Sequence, residues 1–365
     1  MAQFLGFGNG SDGAATLSGT DAPIDASCSG TAAATSLAAT NASFAANQLI
    51  LIHQSRGTGA GAWEINQIAS YVAGTITTTL PLTNTYTDSG ASQAQVLVLK
   101  QYSSVTISGT LTAKAWDGNV GGIVTFLCCG KVTISGTLTV KGKGFRGATS
   151  SNNGNGYAGE GTVGPEVDTH PTANGTGGGG ATERTDGAPG GGGAGHTNAG
   201  TKGQDVADQV GGNGGSTGGS SDLITMIFGG GGGKGGNNGP SAGNGGNGGN
   251  GGGIVMIFAY QREITGTINL DGNNGSNASS TNCGGGGAGA AGSCLNKIGT
   301  DILGTNLITA LGGTGGSPTG SGGSGGASSV GRIRLESCSR TGTTNPSASE
   351  SIGGQSYCST GGGIL

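Results

Sequence analysis

Catalysis and metal binding need particular side chains at particular spacings, and this 365-residue chain holds few of them. Its three histidines, His53, His170 and His196, are far apart in sequence. The seven cysteines stand at 28, 128, 129, 283, 294, 338 and 358, without a Cys-x-x-Cys pair or a zinc spacing. Adjacent Cys128 and Cys129 point to opposite faces of a strand, which suits small packed residues better than a disulfide framework. In an oxidising medium the pair expected first is Cys283 with Cys294, across GGGGAGAAGS. Neither metal nor cofactor is expected. GNGGNGGNGGG lacks the aspartates of a calcium-binding repeat, and only loop oxygens around 271–276 could hold Ca²⁺.

Glycine density generates formal motif matches that carry no chemistry. Residues 322–326, GGSGG, satisfy G-x-S-x-G, but a nucleophile elbow needs a strand before it and a helix after it. Lys234 in GGGGGKGG has no adjacent Ser or Thr and no following helix, so it is not a phosphate loop. Glycan hydrolysis would need two carboxylates roughly 5–9.5 Å apart. The candidates are Asp117, Glu160, Glu166, Asp168, Glu183 and Asp186, and the last five fall in a stretch, 159–187, poor in the bulk that raises a pKa by burial. We therefore expect no enzyme.

Binding is better indicated by rings and charges beside loops. Trp116, Phe145, Tyr157 and Tyr357 have that placement. Trp116 and Phe145 read as plugs at the ends of a β-repeat, whereas Tyr157, in SSNNGNGYAGEG, has few apolar neighbours and is the candidate contact. Between 100 and 146, six basic residues face one acid, Asp117. The plain reading is a solvated strand face; the functional one makes Lys141, Lys143 and Arg146 contacts for an acidic glycan. A formal net charge of -4 and only 9% charged residues give no reason to expect nucleic acid. No segment approaches the ~18 apolar residues of a membrane span, and MAQFLGFGNGSDG has neither the basic nor the apolar region of a secretion signal.

The elements that must position such residues follow from composition and repeats. Seventeen glycines fall in residues 1–140 and seventy in the rest, a collagen-like density without a strict G-X-Y register. Residues 1–104 contain short aliphatic and β-branched runs at 47–55, 71–82 and 94–102, and read as a small β-domain. AGAWEINQIASY, 60–71, has spacing for one or two helical turns at most. VTISGTLTAK at 105–114 then recurs as VTISGTLTVK at 132–141, with a degenerate EITGTINLDG from 263, so stacked strands are expected. A longer unit, 121–144, returns at 252–275 with one residue deleted, and 325–337 is a last partial return. Glycine arrays separate these units. In the array at 229–253, asparagine recurs every third residue at 244, 247 and 250. Two glycines per three residues suit polyproline II helices packed side by side, and recurrence next to strand pairs favours this over a flexible linker.

The stretches IHQSRGTGAGAWEINQI, LTNTYTDSG and KGFRG, the GGGGA blocks at 177–181, 190–194 and 284–288, and the GGIV-strand-ITGTI unit together cover most of the chain. That combination resembles the glycine-rich phage tail-fibre or adhesin-type and bacterial surface proteins. The resemblance implies packed polyproline II helices whose loops touch a host, and binding or structure without catalysis; no functional residue carries over. The resulting expectation is an elongated all-β protein: N-terminal β-domain 1–104, solenoid-like β-repeat 105–146, glycine-rich region 147–253, strand-pair repeat 254–275, second glycine-rich region 276–329, and C-terminal strand and tail 330–365. Its expected role is a structural or adhesive part of a virion or other extracellular particle, binding itself as a homo-oligomer and a host-surface glycan or protein. The alternatives are a bacterial surface filament subunit and a glycan depolymerase on a β-solenoid.

Overall fold

The computed structural model describes residues 6–239 and 244–352, and within them the chain is all-β. No described helix is long and apolar enough to cross a membrane. Tyr357, Cys358 and residues 240–243 lie outside the described residues. The first two strands, β1 (Ala14–Thr16) and β2 (Gly19–Asp21), begin a stack that resumes only after an inserted barrel.

That barrel contains β3 (Asp25–Ser29), β4 (Ser36–Ala39), β5 (Leu49–Arg56), β6 (Trp63–Val72), β7 (Thr75–Thr78) and β8 (Gln93–Tyr102). Antiparallel pairing in the order β3, β4, β7, β6, β5, β8 returns to β3, so no edge is left open. Leu37, Ile50, Ile52, Ile68, Ile76 and Val96 fill its interior. The segment read for helical turns is strand β6. Its alternation of Trp63 and Ile65 outward with Ile68 inward serves two cores at once, and tertiary burial on both faces overrides a weak helical spacing.

The repeats form the stack. β9 (Ser104–Ile107) and β10 (Thr110–Ala113) are followed by β11 (Ile123–Ile134) and β12 (Thr137–Thr139). Val132 pairs with Val105 and Thr137 with Thr110, so the 27-residue sequence offset is the parallel register itself. A small hairpin, β13 (Ser151–Asn152) with β14 (Asn155–Gly156), lies in the first glycine region. The stack continues with β15 (Ile254–Ile264), β16 (Thr267–Asn269), β17 (Ser293–Thr309), β18 (Arg332–Asn345) and β19 (Ser349–Ile352). The deleted residue of the longer repeat falls at a bulge between Cys128 and Lys131. At the bend of each row a glycine meets the row before it: a Cβ on Gly136 or Gly266 would stand 2.1 or 1.9 Å from the carbonyl oxygen of Gly109 or Gly136. Alternating Val, Ile and Leu point inward, and Arg262, in register with Val132, forms a buried bidentate pair with Asp301 (2.9 and 2.8 Å).

The glycine segments bond sideways with a period of three. From 229–237, the N–H groups of Gly229, Gly232 and Gly235 donate to Gly252, Gly249 and Gly246. Those of Gly231, Lys234 and Asn237 donate to Glu160, Tyr157 and Gly154, and those of Gly233 and Gly236 to Gly192 and Pro189. One segment thus binds three neighbours in rotation. A Cβ on Gly232 would lie 2.0 Å from the carbonyl oxygen of Gly287, and one on Gly287 1.8 Å from that of Gly192. In 244–253, Gly248 and Gly251 face one neighbour and Gly249 and Gly252 another, while the third face carries asparagines. Asn250 accepts from the Gly147 N–H at 2.8 Å, and Asn247 from the Lys234 ammonium at 2.7 Å. Burial lowers the pKa of Lys234, which also donates to the Gly245 carbonyl at 2.9 Å.

The expected Cys283–Cys294 disulfide is not formed. Both are free and buried, one at each end of the segment 283–294, because that segment is extended and not looped. Cys338 is disulfide-bonded. Cys128 is buried and Cys129 partly exposed, as opposite faces of a strand require. Trp116 and Phe145 are buried against Phe228, with ring centroids 5.4 Å from it, between the sheet and the glycine body.

Two outcomes test this packing. Amide exchange should be slow at Gly248, Gly249, Gly251 and Gly252, as in β15, but fast at Asn247 and Asn250, whose N–H groups have no acceptor among the described residues. Gly232→Ala should cost about 3 kcal/mol or more by urea unfolding, since backbone on both sides must move, whereas Asn274→Ala on the exposed rim should cost under about 1 kcal/mol.

Candidate functional site

Segments that leave the strands must turn and come back, and the turns gather at one end. They lie at 149–153, 184–187, 205–209, 238–239, 279–282 and 319–321, remote in chain path from the strand junctions at 253–254, 269–270, 292–293 and 331–332. Each has at least one residue in the left-handed region: Asn153, Asp186 with Gly187, Ala207, Gly239, Asn282 and Gly320. Asn, Asp and Gly suit that geometry because a short polar side chain, or none, avoids the following carbonyl.

The turns hold one another. The Asp186 N–H donates to Asn238 Oδ1 at 3.1 Å, and Asn238 Nδ2 to the Thr281 carbonyl at 3.2 Å. The Ser321 N–H donates to Asn282 Oδ1 at 3.1 Å, and the Ser321 hydroxyl to the Asp186 carbonyl at 2.6 Å. Arg184 pairs with Asp208, and Lys202 with Asp205 at 2.7 Å. Asn152, Asn153, Thr185, Asp186, Thr281 and Ser321 remain exposed. The resulting face is small, polar and hydroxyl- and amide-rich, able to exchange hydrogen bonds with a polar partner.

The residues proposed from sequence lie elsewhere. Tyr157 is half-buried on the flank below the 149–153 turn, its N–H donating to the Ser150 carbonyl. Exposed Lys141 and half-buried Lys143 sit at the strand end of the same side. Arg146 is committed to a buried acid: its Nε reaches Glu160 Oε2 at 2.9 Å, its N–H the same oxygen at 3.1 Å, and its Nη1 the Asp117 carbonyl at 3.1 Å. Arg56 of the barrel pairs with the other oxygen of Glu160, whose side chain is fully buried. Glu160 therefore joins barrel, repeat and glycine body. Of the other candidate acids, Glu166 accepts from the Thr149 and Ser150 N–H groups (2.7 and 2.6 Å), and Asp168 from Asn152 (2.7 Å). No group of three or more His, Cys, Asp or Glu among the described residues is arranged to hold a metal.

Sequence reasoning missed the tip turns and the Glu160 clamp. The turns did leave a signal, the polar interruptions ERTDG, DVADQ, ASSTN and SPTGS between glycine blocks. The clamp left none, because its members come from positions 56, 146 and 160.

Two buried histidines tie down the foot of the glycine body. His53 Nε2 contacts the Met226 carbonyl at 2.7 Å and Nδ1 the Ser55 hydroxyl at 2.9 Å. His196 Nε2 contacts the Ser293 hydroxyl at 3.1 Å, which donates to the Ile227 carbonyl at 2.7 Å. Burial holds His53 down to about 4, and burial, then the Arg332 charge, holds His196 to about 3. Both are neutral in the fold.

No family model and no curated protein matches the chain. Among solved structures it is similar to the Gp54 tailspike of Acinetobacter baumannii bacteriophage AP22, determined in complex with A. baumannii capsular saccharide, at 11% identity and a TM-score of 0.21. The match covers 93% of this chain and 56% of the tailspike chain, so the chain spans little more than half of that protein. At such values the likeness carries no argument about fold or function.

Removing the clamp's charge by Glu160→Gln leaves Arg56 buried and unpaired, and should cost about 3–5 kcal/mol in chemical unfolding. The histidines set a pH dependence. Their folded pKa values lie below the unfolded value, so their stability is present above about 6.5 and is lost as pH falls toward 4 and then 3 while the unfolded chain takes up protons. Asp21, lifted to about 6 by burial, acts with the opposite sign, so the comparison is made against a variant. Between pH 6.5 and 4, the melting temperature of His53→Gln should fall less steeply than that of the parent protein.

Proposed function

We propose that this chain is a non-enzymatic adhesive and structural component of an extracellular particle, a receptor-binding protein of tail-fibre type whose tip turns contact a host surface. One observation carries the reading: glycine segments bonded with a three-residue period deliver six turns, each containing a left-handed residue, to one polar face. A framework of bare backbone offers its ligands little side-chain surface, so recognition falls to the turns. On this reading the glycine segments are polyproline II helices, three residues per turn, packed as a lattice, and the strand rows are a short solenoid-like stack. The expected partner is a glycan or protein of the host surface, and side chains such as Asn152, Asp186 and Thr281 supply the donors and acceptors that sugar hydroxyls match. Self-association is expected through β1, β2 and β19, each paired on one side only among the described residues.

Labelled protein should bind cells of a susceptible host and be displaced by its purified surface glycan or receptor. The combined variant N152A, D186G and T281A alters three exposed side chains, with glycine keeping the left-handed turn. It should bind at least tenfold more weakly with an unchanged melting temperature, and Tyr157→Ala severalfold more weakly. Wild-type protein that binds no candidate surface at micromolar concentration, or a triple variant that binds like the parent, overturns the proposal. Spontaneous growth of fibrils from that non-binding protein would favour a filament subunit instead.

A further inference from the structure

The glycine segments 269–279 and 310–318 are joined differently from those inside the body. The N–H groups of Gly272, Gly275 and Ala278 donate to the carbonyls of Leu311, Thr314 and Ser317. The return bonds go to side chains. The Leu311, Thr314 and Ser317 N–H groups donate to Oδ1 of Asp271, Asn274 and Asn277 at 2.7, 2.9 and 2.8 Å. Side chains take this part because the carbonyls of Asn273 and Ser276 already accept from Gly289 and Gly286. Asn250 uses the same device toward the Gly147 N–H on the next pair of segments.

A carboxamide has one acceptor oxygen and one NH₂ group. With the oxygen fixed on backbone, the NH₂ groups of Asn274 and Asn277 have no partner among the described residues, and both residues are exposed. Asp271 makes the same backbone bond with a carboxylate, so that bond alone does not call for an amide. Thr314 and Ser317 are exposed beside the two amides. The surrounding stretches, 272–281 and 312–321, contain no charged residue and no exposed large apolar one. Such a surface lacks the apolar core of a protein interface and the cations that hold nucleic acid. It matches a partner rich in uncharged oxygen.

We infer that this ladder binds an extended, uncharged polysaccharide lying along the segments, its oxygens on the Asn274 and Asn277 amides and its hydroxyls against Thr314 and Ser317. The spacing rests on the polyproline II reading of the segments, in which three residues advance about 9 Å along a straight path. A straight glycan chain returns like groups to one side at every second sugar, so it can meet successive rungs. One such hydrogen bond gains little against water, and binding therefore requires several rungs to be engaged by one chain. The tip turns are not needed for this contact.

Heteronuclear NMR titration of the full chain with cellohexaose and chitohexaose, against their disaccharides and the curved maltohexaose, tests the surface. The two straight hexasaccharides should bind at least tenfold more tightly than the disaccharides and severalfold more tightly than maltohexaose. The side-chain amide signals of Asn274 and Asn277 should move, and that of Asn152 at the tip should not. The double variant N274D and N277D keeps an acceptor for the Thr314 and Ser317 N–H groups while removing both donors. It should melt like the parent and bind the hexasaccharides at least tenfold more weakly, and Thr314→Val severalfold more weakly. The tip variant N152A and D186G should bind them as the parent does, so a failure of tip recognition and a failure of the ladder give different results. The inference is overturned if the hexasaccharides bind no better than disaccharides, or if the double Asp variant binds like the parent. It is equally overturned if the signals that move belong to the tip, or if the Asn274 and Asn277 amides shift with protein concentration alone, which assigns the surface to a second copy of this chain.

Discussion

The structure depends on how closely two backbones can approach when no Cβ stands between them. At Gly232, Gly248 and Gly287 the space for a methyl group is already taken by a neighbouring carbonyl oxygen, about 2 Å from where Cβ would be. That proximity lets the segment 229–237 satisfy its N–H groups on three different neighbours in rotation. Glycine is normally unfavourable in ordered structure because it loses the most backbone freedom. Here the loss is offset only collectively, since a segment removed from its neighbours would keep none of these bonds.

A body of that kind cannot start itself, and the β-stack provides its foundation. Rows in fixed parallel register deliver each glycine segment at a set spacing, and Trp116, Phe145 and Phe228 fill the joint between the two packings. The barrel is fastened to the same joint by Arg56 on Glu160 and by His53 on the Met226 carbonyl. Polar groups therefore bind the parts where apolar surface is scarce.

Repetition made much of the fold legible. VTISGTLT at 105 and at 132 predicted stacking, and the pairing of Val105 with Val132 has that same offset. The Gly-Gly-Asn period predicted segments packed side by side, and Gly248, Gly249 and Asn250 do meet different neighbours in turn. Local spacing misled where a strand faces two cores, as at Trp63 to Ile68, and where Cys283 and Cys294 border a straight segment. Of the site residues read from sequence, Arg146 was visible as a charge but not as the partner of Glu160, because an isolated arginine looks the same whether it faces solvent or a buried acid.

By itself, the sequence determined the all-β character, the strand rows and the periodic glycine packing, because these rest on short-range alternation and on the absence of side chains. Only the tertiary structure decided which turns share a face, that the barrel closes, and that the segment carrying Gly147 lies beside the one carrying Asn250. The first and last of those facts join residues more than a hundred positions apart, and the barrel closes by pairing Asp25 with Leu97. Their proximity follows from how the segments stack, and no local pattern records it.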